Sequence, residues 1–137
     1  MVIRPDDDPA LRRTSTTWSA PKGQALVSLV PGSVVQQFID KHFARAGVFV
    51  PRRALFNYLD TMIAMVAAGE GIAVIPSFVL SACRNRKVVM SKLTNPVVNV
   101  DFSRISLRGE KLPPGADDFT SFLQSNIARW AGRARIL

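Results

Sequence analysis

The residues best placed to do chemistry sit in two short stretches, Val30-Pro31-Gly32-Ser33 and Phe56-Asn57-Tyr58-Leu59-Asp60-Thr61. The first sets proline, glycine and serine between an apolar run and an amphipathic one, as where a strand turns straight into a helix. A helix starting there leaves the N–H groups of Val34, Val35 and Gln36 without helical partners. Together with the Ser33 hydroxyl and the positive end of the helix dipole, they would cradle a carboxylate or a phosphate. The second stretch offers an amide, a phenol and a hydroxyl beside an aromatic wall, a mixture suited to a small organic ligand. Each has a plainer reading: Ser33 as a helix cap, Asn57 or Asp60 as another, Tyr58 as a half-buried packing residue. Taken singly, the plainer reading stands ahead.

Catalysis finds little to work with. His42, the sole histidine, falls on the apolar side of a helical pattern and has no serine, cysteine or acid at triad spacing. Asp6-Asp7-Asp8 could bind a cation, but adjacent carboxylates between Pro5 and Pro9 more often make a solvated turn. Asp117 and Asp118 suit the first turn of a helix, where acids offset the dipole. The single cysteine, Cys83, excludes an internal disulfide, gives no metal-ligand pair and fits a buried spacer in a reducing compartment. No glycine-rich phosphate loop is present. No enzymatic activity, cofactor or metal is expected.

Around these stretches the chain alternates between strand and helix patterns. Leu26–Val30 reads as a strand, and a helix follows with Val35, Phe38, Ile39, His42, Phe43 and Ala46 on one face until Gly47 ends it. Arg53–Phe56 is a second strand, Met62–Ala68 a second helix stopped by Gly69, and Ile72–Ile75 a third strand closed by Pro76. Ser77 opens a short helix toward Arg84. Val88–Leu93, Val97–Phe102 and Arg104–Arg108 alternate as further strands, and Phe119, Phe122, Leu123, Asn126, Ile127 and Trp130 stripe a last helix. Strands separated by helices imply a mostly parallel sheet with covering helices, whose ligands gather beyond the carboxyl ends of the strands.

Length and composition bound the function. With 137 residues, 47% of them hydrophobic, a domain burying roughly 70% of its unfolded surface is attainable. No run approaches the roughly 20 apolar residues of a membrane span, and no export signal is visible, so a cytoplasmic protein without membrane contact is expected. The net charge of +8 invites a nucleic-acid reading. Its cations are dispersed, though, with groups at Arg84, Arg86, Lys87 and at Arg129, Arg133, Arg135 flanking helix ends. No recognition-helix pattern accompanies them, so a solvated basic surface is the better reading.

The run from Met62 to Pro76, Met-Ile-Ala-Met-Val-Ala-Ala-Gly-Glu-Gly-Ile-Ala-Val-Ile-Pro, resembles a segment of the effector-binding domain of LysR-type transcriptional regulators. Its flanks match in order: Pro31-Gly32-Ser33, the helix end Phe43-Ala44-Arg45-Ala46-Gly47-Val48, and Leu112-Pro113-Pro114-Gly115 before the last helix. Val2-Ile3-Arg4-Pro5-Asp6-Asp7-Asp8-Pro9 is similar to the strand crossing from the first lobe of such a domain to its second, with Asp8 where a histidine is usual. The likeness spans about Val2 to Trp130.

The resemblance implies a periplasmic-binding-protein type 2-like α/β lobe, with the returning strand and carboxyl-terminal helix of another, mostly missing lobe. Residues 1–17 would be the crossover strand and loop, 18–102 the second lobe, and 103–137 the returning strand, helix and basic tail. It implies a small-molecule effector, a carboxylate by the chemistry above, held between lobes by Val30, Pro31, Gly32, Ser33, Phe56, Asn57, Tyr58 and Thr61. The family often has serine or threonine where Val30, Phe56 or Asn57 stands. It further implies a homo-oligomer that reaches DNA only through a separate helix-turn-helix domain absent from this chain. The unpartnered last helix predicts self-association or repacking. The competing expectations are a stand-alone solute-binding or protein-interaction module of the same fold, and a basic nucleic-acid-binding protein.

Overall fold

Along the strand Leu26–Leu29 successive side chains point to opposite sides, Leu26 into one apolar cluster and Val27 and Leu29 into another. The same alternation divides Val2 from Ile3, and Ile72 and Val74 from Ala73 and Ile75. One sheet therefore has apolar residues on both faces, and each face needs a helix. The first cluster is closed by Ile39 and Phe43, the second by Met62, Ile63 and Val66.

In the computed structural model, which describes residues 1–8, 13–101, 103–109 and 111–133, these elements run β1 Val2–Pro5, β2 Ser15–Thr17, β3 Leu26–Leu29, α1 Val34–Arg45, β4 Arg52–Phe56 and α2 Leu59–Ala67. They continue with β5 Ala73–Val74, a 3-10 turn Ser77–Val79, α3 Leu80–Cys83, β6 Val88–Thr94 and α4 Ala116–Arg133. Of residues 128–133 only the backbone path is described, so the Trp130 side chain expected in the final stripe lies outside the described residues.

Four strands pair in the order β2-β6-β1-β5, and β3 pairs with β4. Val27 donates to the Ile72 carbonyl at 2.8 Å and Ile72 donates to that of Ala25 at 3.0 Å, which ties the two groups together beside β5. The β3–β4, β2–β6 and Leu26–Ile72 pairings are parallel, whereas β1 runs antiparallel to both β5 and β6. Mixed α/β architecture with covering helices follows, as the alternation of patterns predicts.

Helices α1 and α2 both end as their glycines require. Gly47 at φ 64° and Gly69 at φ 83° take the left-handed conformation. The next N–H groups, of Val48 and Glu70, reach back to Phe43 and Met65 at 3.0 and 3.1 Å, a Schellman closure in each case. Gly71 answers a different need. A Cβ there would lie 2.4 Å from the Ala25 carbonyl oxygen, at a φ of 142° that side chains avoid.

Four expectations are corrected. Residues 97–101 and 104–108 form no strand among the described residues, and Phe102 itself lies outside those residues. The cap of α2 is Tyr58 rather than Asn57 or Asp60, whereas Ser33 holds the cap position of α1 as expected, though without a side-chain cap bond. Asp8 leaves the solvated turn to receive buried Arg4 at 3.2 Å. Strand β2, too short to show a period, was not legible.

The chain divides into two compact units, Met1–Val98 and a second that begins at Asn99. In the second, Arg104 holds the first turn of α4 through Asp117 at 2.8 Å and Thr120 at 3.2 Å. No helix among the described residues is long and apolar enough to cross a membrane.

Candidate functional site

After a register shift between Leu26 and Val27, strands β3 and β4 run parallel and in step to their ends, where Leu29 faces Phe56. One last rung closes the pair, the Val30 N–H on the Phe56 carbonyl at 2.9 Å. Beyond it the two chains turn away to opposite faces of the sheet, each directly into a helix. Val30-Pro31-Gly32-Ser33 makes a tight turn, with Ser33 N–H on the Val30 carbonyl at 2.9 Å, and α1 starts at Val34. Asn57 and Tyr58 lead as directly into α2 at Leu59. Seven of the eight expected contact residues thus gather at one end of one strand pair; Thr61 lies further on, exposed in the first turn of α2. Tyr58, 73% exposed, is no packing residue.

The two helix starts differ in charge. No acidic residue lies in the first turn of α1, so the N–H groups of Val34, Val35 and Gln36 meet no carboxylate of their own element. The first turn of α2 already contains Asp60, with Arg86 at 3.7 Å. An anion would therefore find the α1 side open and the α2 side already offset by a carboxylate. The α2 side still offers the Asn57 amide and the Tyr58 phenol.

Gln36 fixes this geometry and was missed. Its side chain is buried, accepts the Leu29 N–H at 3.0 Å through Oε1 and donates from Nε2 to Asp40 at 2.8 Å. Asp40 in turn pairs with Arg52 at the start of β4. A polar residue on the buried stripe Gln36, Ile39, Phe43 was the available signal. His42 is a packed helix residue, stacked on Trp18 at 5.0 Å with Nδ1 2.8 Å from the Phe38 carbonyl. Cys83 is buried, and that burial pushes its thiol pKa up despite Arg86 nearby. Among the described residues no group of acids, histidines and cysteines is arranged to hold a metal.

A hollow of about 460 Å³ opens at the other end of β3 and β4, lined by Leu26, Phe43, Val48, Phe49 and Val50 with Asp40 and Arg52. None of the eight expected residues lines it.

Residues 1–128 match the model of the LysR substrate binding domain. The chain belongs to that family. The LysR substrate-binding domain has a type 2 periplasmic-binding-protein-like α/β fold, and solved structures agree. The regulatory domain of CcmR from Synechocystis PCC6803, solved in complex with 2-PG, is 19% identical with a TM-score of 0.70, over 90% of this chain and 60% of its own. The effector-binding domain of QuiR, in complex with shikimate, is 18% identical at a TM-score of 0.69, over 88% of this chain and 57% of its own. HinK, a LysR family regulator from Pseudomonas aeruginosa, is 15% identical at 0.75, over 91% and 43%. This LysR domain chain thus spans less than two thirds of the length of these relatives. None of the curated proteins matches it in sequence.

Proposed function

We propose that this chain is the effector-sensing part of a LysR-type transcriptional regulator, and that it binds a small anionic metabolite without turning it over. The observation that carries this is the side-by-side ending of β3 and β4 in two helix starts, only one of which has its own carboxylate. The effector carboxylate lies at the first turn of α1, over Val30, Pro31, Gly32 and Ser33. Its ring or chain lies against Phe56, Asn57, Tyr58 and Thr61. The neighbours solved with 2-PG and with shikimate support a small-molecule ligand for this fold.

In this reading residues 1–17 are a crossover from a first lobe, 18–102 form the second lobe and 103–137 return to the first. The effector closes the lobes because it binds the closed arrangement better than the open one. The protein acts in the cytoplasm as a homo-oligomer, and DNA is bound by a separate helix-turn-helix domain. The contacts are shared between two lobes in this reading, so the second lobe by itself binds the effector weakly. Calorimetry tests the reading with a panel of aromatic and aliphatic carboxylates, each paired with its neutral carboxamide. Heat from carboxylates and none from their amides supports it; equal binding of both, or tight binding by this chain alone, contradicts it.

A further inference from the structure

The hollow of about 460 Å³ at the starting end of β3 and β4 is walled wholly by residues of the first unit. Gly47, at φ 64°, turns the chain off α1, and the Leu26 N–H holds the Pro51 carbonyl at 2.9 Å. Residues 48–51 thus lead from the end of α1 into β4 alongside Leu26. Side chains alternate along this stretch: Val48 and Val50 are buried, whereas Phe49 is 86% exposed. Phe49 nonetheless lines the hollow, together with Phe43 and Ala44 of α1. A ring so exposed beside a concave apolar wall gains contact only when something fills the space between them.

Charge selects the occupant. Asp40 and Arg52, the two charged residues of the lining, pair with each other, and the second Asp40 oxygen accepts Gln36 Nε2 at 2.8 Å. A carboxylate drawn to Arg52 would lie beside Asp40, and an ammonium drawn to Asp40 would lie beside Arg52. Neither sign is favoured. Both Asp40 oxygens are engaged, whereas a guanidinium has further N–H donors beyond the one that Asp40 takes. The polar rim therefore suits an uncharged molecule that brings a hydrogen-bond acceptor. Its size is that of a small-molecule pocket, roughly 300–1,000 Å³.

We propose that this hollow is a second small-molecule site, which takes an uncharged ring compound bearing a carbonyl. The ring lies against Phe43, Val48, Phe49 and Val50, and the carbonyl accepts from Arg52. The site stands at the opposite end of the strand pair from Val30 and Phe56, so the effector reading can fail without affecting it.

The test is a backbone amide NMR titration of the full chain with acetophenone, with benzoate and benzylammonium as charged molecules of similar size. Acetophenone should give saturable shifts on Phe43, Ala44, Val48, Phe49 and Val50, and the charged molecules none there. Ala44→Leu, at an exposed helix position, fills the hollow and should abolish these shifts. Phe49→Ala removes a ring that supports little of the fold, so the variant should melt like the parent. It should nevertheless bind acetophenone about two- to tenfold more weakly, the weight of one aromatic pair. No saturable shift at these amides, benzoate binding at the same place, or unchanged acetophenone binding in either folded variant would overturn the proposal.

Discussion

Gln36 shows how much one side chain decides at the candidate site. On the β5 side of β3, Val27 still finds the Ile72 carbonyl, but Leu29, two residues on, meets the Gln36 amide oxygen instead of a strand. That substitution lets β3 continue to its last rung with Phe56 and pins the first turn of α1 above it. Gln36→Leu keeps the bulk and strands the Leu29 N–H, so it should destabilise the protein by about 1–3 kcal/mol. Urea unfolding checks this; an unmoved midpoint would show that Leu29 needs no protein acceptor. Gly71→Ala should be worse, on the order of 3 kcal/mol or more, because a side chain must adopt a forbidden φ while displacing the Ala25 carbonyl. A Gly71→Ala protein that melts like the parent would contradict the close approach of β3 to residue 71.

At the level of elements, what was legible follows from locality. Helix ends at Gly47 and Gly69, the strand beside Ile72 and the stripe Val35, Ile39, Phe43 depend on neighbours within a turn or two. Their residue types alone announce them. Pairing partners do not lie within that range. Strand β2 exists because its backbone meets β6, nearly eighty residues away, and Ser15-Thr16-Thr17 has no period of its own to show it. Conversely, Val97–Phe102 and Arg104–Arg108 alternate as strands do, yet the described parts form no strand, because alternation by itself supplies no pairing partner. The Val30 and Phe56 turns were recognised as strand-to-helix junctions, but that they sit side by side depends on the β3–β4 register, which no local pattern encodes.

Packing of α2 yields two checks at this scale. Ile63 is fully buried among Ile3, Val27, Leu29 and Ile75, so Ile63→Ala should cost about 2–5 kcal/mol in thermal unfolding. Cys83, buried in the same cluster with its thiol pushed up, should react with an aromatic disulfide reagent only as fast as the fold opens. Rapid labelling of the native protein at neutral pH would contradict that burial.

For the whole molecule, the +8 charge matters less than where anions can be met by directed N–H groups. Dispersed lysines and arginines attract anions from a distance and lose that attraction in salt. Three amides converging at the start of α1 give a directed contact that salt screens less. Ser33→Asp separates the two: aspartate is a good helix cap, so the variant folds, yet its carboxylate fills the place proposed for the effector. The most direct measurement is a backbone amide NMR titration of the chain and of its Ser33→Asp variant with shikimate and simpler carboxylates. The largest shifts should fall on Val34, Val35, Gln36, Asn57 and Tyr58 and vanish in the variant while the rest of the spectrum is kept. Shifts centred instead on the hollow at Phe43 and Val48–Val50, or persisting unchanged in Ser33→Asp, would contradict an anion held at the start of α1.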